Sequence, residues 1–78
     1  MKATIWSKYN CTYCDQARSL MESHGITYEE RKIGDGWTRE DLLEAVPTAR
    51  SVPQIFLDGQ YIGGFTELRN HLTQQEVL

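Results

Sequence analysis

The hydrophobic pattern of the chain predicts a series of short strands and helices, beginning with a strand over residues 2–7. Apolar residues there alternate with polar ones and include β-branched side chains. A helix then extends to about residue 24, because its apolar residues recur at helical spacing. Those residues are Cys14, Ala17, Leu20 and Met21. Gly25 suits the position just after a helix, and residues 26–33 form a second strand whose charges are typical of a sheet edge.

The middle of the chain carries a short helix with its own start and stop signals. Thr38 and Asp41 resemble a capping box, in which each side chain accepts a hydrogen bond from the other residue's backbone N–H. The helix carries the apolar residues Leu42, Leu43 and Val46. Pro47 then ends it.

Two further strands and a last helix are predicted beyond this point. Residues 54–57 are strongly strand-like, and the Asp-Gly pair after them is typical of a hairpin turn. Residues 60–62 form the returning strand. Two glycines then break the pattern, and Thr66 is predicted to cap a helix whose Leu68 and Leu72 face inward. The chain therefore reads as β-α-β-α-β-β-α, an α/β protein with one four-stranded sheet and a right-handed first crossover.

The two cysteines of the chain lie two residues apart, between the first strand and the first helix. Cys11 falls at or next to the helix N-terminus, where unpaired N–H groups and about half a positive charge favour a thiolate. Lys8 adds a cation, so we expect Cys11 to ionise readily and to be the exposed nucleophile. Cys14, one helical turn further on and more buried, suits the role of resolving thiol.

Three other interpretations of the cysteine pair compete with a redox site. A structural disulfide would close a loop of four residues, which the chain-entropy treatment values at about 2 kcal/mol. A zinc site would need four ligands, and beyond the cysteines only His24 and His71 are offered, at a spacing that matches no zinc pattern. Two inert buried cysteines are the third alternative. The position after a strand and before a helix favours the redox interpretation.

Length, composition and charge limit the number of domains, the cellular compartment and the kinds of partner that we expect. The 78 residues suffice for one small domain. No apolar run reaches 18 residues and no export signal is recognisable, so we expect a cytoplasmic protein with no membrane partner. In a reducing compartment, closely spaced cysteines are more often catalytic than structural. The net charge of −3, mixed along the chain, does not favour a nucleic-acid partner.

These residues together resemble a glutaredoxin, a small member of the thioredoxin-fold family. The resemblance covers about residues 3–72. It rests on Lys8 three residues before the first cysteine, the motif Cys11-Thr12-Tyr13-Cys14, Ser51-Val52-Pro53 before a strand, and Ile62-Gly63-Gly64-Phe65-Thr66-Glu67 at the last helix. It implies a single glutaredoxin domain over residues 1–78, monomeric, with a mixed sheet and helices on both of its faces.

The resemblance also implies a site for glutathione, the reductant of this family. The proline matching Pro53 is cis in glutaredoxins, and the exposed backbone of Val52 pairs with glutathione as a short antiparallel strand. Gly64 and the glycine before it let the tripeptide approach closely. The helix N-terminus at Thr66 and Glu67 holds the γ-glutamyl carboxylate.

Three further side chains complete the implied site. Lys8 and a basic residue of the second helix meet the glycyl carboxylate; Arg39 is the candidate, and Arg50 also lies close in sequence. Tyr13 flanks the reactive sulfur. No metal is required for this chemistry.

The resemblance implies a dithiol enzyme that reduces protein disulfides and glutathione mixed disulfides, with ribonucleotide reductase as a plausible protein partner. Two alternatives stay open. Proline is commonest where Thr12 stands, and relatives with a small hydroxyl residue there sometimes hold an iron–sulfur cluster between two subunits, which would bind here through Cys11. A redoxin reduced by thioredoxin reductase also fits the cysteine motif, although not the glycine pair. Because an Asp pair is frequent where Thr66 and Glu67 stand, a side-chain contact to the glutathione amine does not follow from the resemblance.

Overall fold

The computed structural model describes residues 1–76, which follow the predicted order of elements. The elements are β1 (Lys2–Lys8), α1 (Thr12–Ser23), β2 (Thr27–Ile33), α2 (Arg39–Ala45), β3 (Gln54–Leu57), β4 (Gln60–Gly63) and α3 (Phe65–Glu76). The last two residues of the predicted domain lie outside the described part. No helix within the described residues has both the length and the apolar character to cross a bilayer.

The four strands form one mixed sheet in the order β2-β1-β3-β4. β1 pairs in parallel with β2 and antiparallel with β3, and β3 pairs antiparallel with β4. The prediction that the charged second strand lies at an edge is therefore confirmed. A central β1 also fixes the position of the cysteines, which follow directly after its end.

Each face of the sheet carries its own apolar cluster. Alternate residues of β1 point to opposite faces, so Ala3 and Ile5 join one cluster and Trp6 joins the other. The first cluster lies beneath α1 and α3 and contains Ala3, Ile5, Ala17, Met21, Ile26, Ile55, Leu57, Leu68 and Leu72. The second lies beneath α2 and contains Trp6, Leu42 and Val46. This arrangement confirms a sheet covered by helices on both faces.

The predicted signals for the first two helices match the structure closely. In α2 the Asp41 N–H donates to Thr38 Oγ1 at 3.1 Å, and the Thr38 N–H donates to Asp41 Oδ2 at 2.9 Å, which completes the capping box. α1 ends at Ser23, one residue before the predicted end. Gly25 has φ of +68°, a conformation that glycine adopts without steric cost.

The prediction that Thr66 caps the last helix is wrong. α3 begins at Phe65, two residues earlier than a helix capped by Thr66 would, and the N–H of Leu68 donates to the carbonyl of Gly64 at 3.0 Å. The Gly64 N–H donates in turn to Glu67 Oε1 at 2.7 Å. Because Glu67 satisfies this end of the helix from its third position, no hydroxyl cap is needed and Thr66 lies within the first turn.

Candidate redox site

The cysteines sit where the sequence places them, at the start of α1. Cys11 is the N-cap residue, with extended backbone at φ −119° and ψ 101°. Its sulfur accepts the N–H of Cys14 at 3.2 Å, and its carbonyl accepts the N–H of Asp15 at 3.1 Å. The Cys11 sulfur therefore replaces the serine or aspartate oxygen that usually caps a helix, in a position that favours negative charge.

The two sulfurs form a disulfide, with Cα atoms 5.2 Å apart. Cys14 is completely buried, whereas Cys11 retains 9% of its surface. Cys11 is thus the more accessible of the two cysteines, as predicted, but its side chain is mostly buried and not exposed. Its capping geometry turns the sulfur inward over the first turn of α1, where it lies 3.8 Å from the carbonyl oxygen of Val52.

The loop before β3 forms the opposite wall of the site. The Val52–Pro53 peptide bond is cis, as the resemblance implies. Val52 and Ser51 line two separate cavities, one on each side of the loop. Val52, which the two cavities share, is also the residue whose carbonyl oxygen lies 3.8 Å from the Cys11 sulfur.

We name the first of these the α3 cavity, of about 270 Å³, because it is closed by the start of α3. It brings together six of the predicted site residues: Tyr13, Val52, Pro53, Gly64, Thr66 and Glu67. Ser51, Gln54, Tyr61 and Phe65 also line it and were not predicted. Tyr13 is well exposed and its ring lies 6.0 Å from that of Phe65, which forms an aromatic rim.

Gln54 and Tyr61 form a hydrogen-bonded side of the α3 cavity that sequence reasoning missed. The Tyr61 hydroxyl donates to Gln54 Oε1 at 2.5 Å, and Gln54 Nε2 donates to the Ser51 carbonyl at 2.8 Å. Gln54 is 8% exposed although it is polar. The only sequence signal was its place directly after Pro53; its partner lies on the returning strand β4.

The second space is the α2 cavity, of about 250 Å³, and it contains the predicted basic residues. Lys8, Arg39 and Arg50 all line it, so both candidates for the glycyl carboxylate face the same space. Its other walls are apolar and come from Ile33, Leu42, Leu43 and Ala49. The predicted glutathione-binding residues therefore divide between two cavities that share Val52, whereas Cys11 and Cys14 line neither of them.

The glycine pair lies directly against the side chain of Glu67. Gly63 has φ of +118°, and a Cβ built there would lie 2.8 Å from Cγ of Glu67. A Cβ on Gly64 would lie 3.3 Å from Glu67 Oε1 and 3.4 Å from the Pro53 carbonyl oxygen. The space above both glycines is thus taken by the folded side chain of Glu67, which is the group that a ligand would meet there.

A polar network links the end of β1 to α1 and β2. The buried hydroxyl of Ser7 donates to Glu30 Oε2 at 2.6 Å, and Arg18 Nη1 reaches the same oxygen at 2.5 Å. Arg18 also pairs with Asp15 in the first turn of α1. These contacts tie the helix that carries the cysteines to strand β2.

Two groups further from the sulfurs have shifted acidities. A hydrogen bond to Glu22, together with burial, raises the pKa of Tyr28 to about 12. The hydrogen bond from Arg31 lowers the pKa of Glu29. Neither group contacts the disulfide, so these shifts concern stability rather than redox chemistry. Over residues 1–76 no group of three or more metal-binding side chains is found.

A cystine at a helix N-terminus, opposite a cis-proline loop on a sheet of this topology, defines a thiol-disulfide oxidoreductase of the thioredoxin fold. The family profile for glutaredoxin matches residues 3–62. Glutaredoxin 3 of Escherichia coli K12 is 38% identical over 65 residues, which is 82% of this chain and 77% of the relative. The chain belongs to the glutaredoxin family.

Solved structures agree with this assignment. Glutaredoxin 1 from Francisella tularensis, solved in complex with cacodylate, superposes with a TM-score of 0.81 at 30% identity, over 96% of this chain and 95% of that one. A buckwheat glutaredoxin in complex with glutathione gives a TM-score of 0.81 at 23% identity, over 96% of this chain and 71% of that one. The second likeness concerns the fold alone.

Proposed function

We propose that the protein is a glutathione-dependent oxidoreductase that reduces protein disulfides and glutathione mixed disulfides. The observation that carries the proposal is the pair of cavities that share Val52, whose carbonyl oxygen lies 3.8 Å from the Cys11 sulfur. One cavity has a helix N-terminus and the other has three cations. A tripeptide with a carboxylate at each end and a central cysteine suits this arrangement, because its sulfur would lie near the Cys11 sulfur.

The reaction follows from the two cysteines. The Cys11 thiolate attacks a substrate disulfide, forms a mixed disulfide and releases the other half of the substrate as a thiolate. Cys14 then attacks the sulfur of Cys11 and releases the second half as a thiolate. Where that half is glutathione, a second glutathione thiolate can instead attack the sulfur of the bound glutathione, so that the two leave as glutathione disulfide and the Cys11 thiolate is freed. When Cys14 attacks, two electrons pass to the substrate and the Cys11–Cys14 disulfide results. Two glutathione molecules restore the dithiol and leave as glutathione disulfide.

Several site residues have proposed roles in binding. Val52 offers its backbone to the tripeptide, and Lys8 with Arg39 or Arg50 receives the glycyl carboxylate. The start of α3, at Gly64, Thr66 and Glu67, receives the γ-glutamyl end. Tyr13 and Pro53 flank the sulfur. Family resemblance further supports a cytoplasmic monomer engaged in electron transport, with ribonucleotide reductase among its protein substrates.

The decisive experiment is reduction of a small glutathione mixed disulfide, coupled to glutathione reductase and followed by NADPH consumption. We expect turnover with glutathione, and none when thioredoxin reductase is the only electron donor. Turnover with thioredoxin reductase alone would contradict the proposal.

A matched pair of lysines tests the binding site within the same assay. Lys8 and Lys2 lie at opposite ends of β1 and both are exposed, but of the two lysines Lys8 is the one that lines the α2 cavity. Lys8→Gln should raise the KM for glutathione about fivefold, because an exposed ion pair is worth about 1 kcal/mol at most. Lys2→Gln should leave the KM unchanged. Equal KM values for the two variants would remove Lys8 from the proposed site.

A further inference from the structure

The apolar wall of the α2 cavity has no use in the proposed reaction. Leu43 lines the cavity and is half-buried, yet it belongs to neither core cluster and does not pack against either. Ile33 and Ala49 continue the same wall and are also only partly covered. An aliphatic surface of this kind, next to a reactive disulfide, gains stability when another apolar group covers it.

Glutathione cannot supply that group. This step rests on the proposed function, in which the glycine end of the tripeptide lies in the α2 cavity. Glycine has no side chain, so the wall formed with Leu43 stays uncovered when glutathione is bound. A polypeptide with an aliphatic residue in place of that glycine would cover it.

The charge of the α2 cavity favours an acidic partner segment over a basic one. Lys8, Arg39 and Arg50 are three of the eight basic residues in a chain of net charge −3. No acidic residue is among those that line the cavity within the described part of the chain. A partner segment with a carboxylate is attracted to these cations, and a basic segment is repelled.

We propose that the α2 cavity binds protein substrates through a segment in which the reactive cysteine is followed by an aliphatic residue and then an acidic residue. The aliphatic side chain packs on Leu43, and the carboxylate meets the cations. The segment's cysteine reaches Cys11 because Val52 is at once a wall of the cavity and the neighbour of the Cys11 sulfur, at 3.8 Å. Selection of the protein substrate thus uses a wall that the small reductant leaves free.

The chemistry of the step is the ordinary exchange. The Cys11 thiolate forms a bond to the sulfur of the bound segment and breaks its disulfide, and the departing half leaves as a thiolate. Cys14 then attacks Cys11, releases the segment as a thiolate and completes the Cys11–Cys14 disulfide. Two electrons move from the dithiol to the substrate, and no further reactant is required.

The test uses the full-length, pre-reduced protein without glutathione. The substrates are symmetric disulfides of four acetylated, amidated peptides: Cys-Leu-Glu, Cys-Gly-Glu, Cys-Leu-Gln and Cys-Gly-Gln. Release of peptide thiol is followed by chromatography at low and high salt. We expect the second-order rate constant for Cys-Leu-Glu to exceed that for Cys-Gly-Glu about fivefold, equivalent to about 1 kcal/mol from a partly buried aliphatic side chain. The advantage of Glu over Gln should shrink as salt is added.

Two variants of α2 complete the experiment. Leu43→Ser should reduce the ratio of the rate with Cys-Leu-Glu to the rate with Cys-Gly-Glu to less than about twofold, since it removes most of the apolar contact. Ala45→Ser, an exposed position on the same helix and outside this cavity, should keep the full advantage. Equal rates of the wild-type protein with leucine and glycine peptides would overturn the proposal, whether or not Leu43→Ser folds. Because glutathione is absent, that result would leave glutathione-dependent turnover untouched, and failure of the coupled assay would be seen separately.

Discussion

Cys11 and Cys14 carry the same side chain, but their positions give them different chemistry. Cys11 caps α1, and its sulfur receives a backbone N–H while keeping some contact with solvent. Cys14 lies within the first turn and is completely covered by its neighbours. A substrate disulfide can therefore approach only Cys11, and Cys14 attacks from within the molecule.

Single serine substitutions should separate the two roles. Cys11→Ser should abolish all reduction, because serine is not a nucleophile toward disulfides at neutral pH. Cys14→Ser should retain reduction of glutathione mixed disulfides, which a second glutathione resolves, but should lose most reduction of protein disulfides. The measurement is the coupled assay with each substrate, together with mass spectrometry of the mixed disulfide trapped on Cys11. Full activity of Cys11→Ser would contradict the assignment.

At the scale of elements, a hydrogen bond joins the end of α1 to the start of β2. The Tyr28 hydroxyl donates to Glu22 Oε2 at 2.6 Å across the turn that contains Gly25. This bond, with burial second in importance, raises the pKa of Tyr28 to about 12. Since the folded pKa exceeds the usual value of 10.0, the bond stabilises the fold fully below pH 10 and its contribution is lost as the pH rises toward 12.

Tyr28→Phe should lower the free energy of unfolding by about 1 kcal/mol at pH 7, the usual worth of a side-chain hydrogen bond. The difference between wild type and variant should shrink between pH 10 and pH 12. Urea unfolding at several pH values measures it, and absorbance of tyrosinate follows the ionisation directly. One of the four tyrosines should titrate about two pH units after an ordinary one. Tyr9→Phe, at an exposed position, should leave that late titration in place.

At the scale of the whole molecule, the two apolar clusters contribute unequally to the stability of the fold. Among the residues that the structure describes, the cluster beneath α1 and α3 contains nine buried ones and the cluster beneath α2 contains three. The larger cluster therefore supplies most of the stability. The side with α2 retains partly covered apolar surface, which is available for binding.

A matched pair of leucines tests this division. Leu68→Ala removes a fully buried side chain from the larger cluster and should cost about 3 kcal/mol, within the range known for such cavities. Leu43→Ala removes a half-buried side chain outside both clusters and should cost about 1 kcal/mol or less. Urea unfolding of both variants gives the two values. Similar costs would show that Leu43 belongs to the core, and not to a free wall.

Much of this architecture follows from local sequence signals. Alternation in β1, the capping box at Thr38 and the hairpin turn after β3 each depend on neighbours in the chain, so they were predicted correctly. The start of α3 was not predicted correctly. Thr66 is a favoured N-cap residue by type, but in the structure Glu67 accepts the Gly64 N–H. The Glu67 side chain fits there because Gly63, at φ +118°, has no Cβ to occupy the same space.

The site divides in the same way. The cysteine motif, Val52 and Pro53 were predicted from short motifs, and the structure brings them together. Gln54 and Tyr61 were missed, because their hydrogen bond depends on which residues of β3 and β4 meet. The sequence also predicted that the second helix carries both Leu42 and Leu43, without saying which of them faces the sheet. A seven-residue helix turns only one of two adjacent leucines fully toward the sheet.

Val52, whose carbonyl oxygen lies 3.8 Å from the Cys11 sulfur, is 41 positions away from Cys11 along the chain. Different stretches of the chain therefore supply the reactive sulfurs and the surfaces that select the substrate. Residues 8–14 contain both cysteines, whereas residues 33–67 supply nearly all of the residues that line the two cavities. Evolution or an engineer can revise the second stretch and redirect the protein to a new disulfide while the thiol chemistry stays as it is.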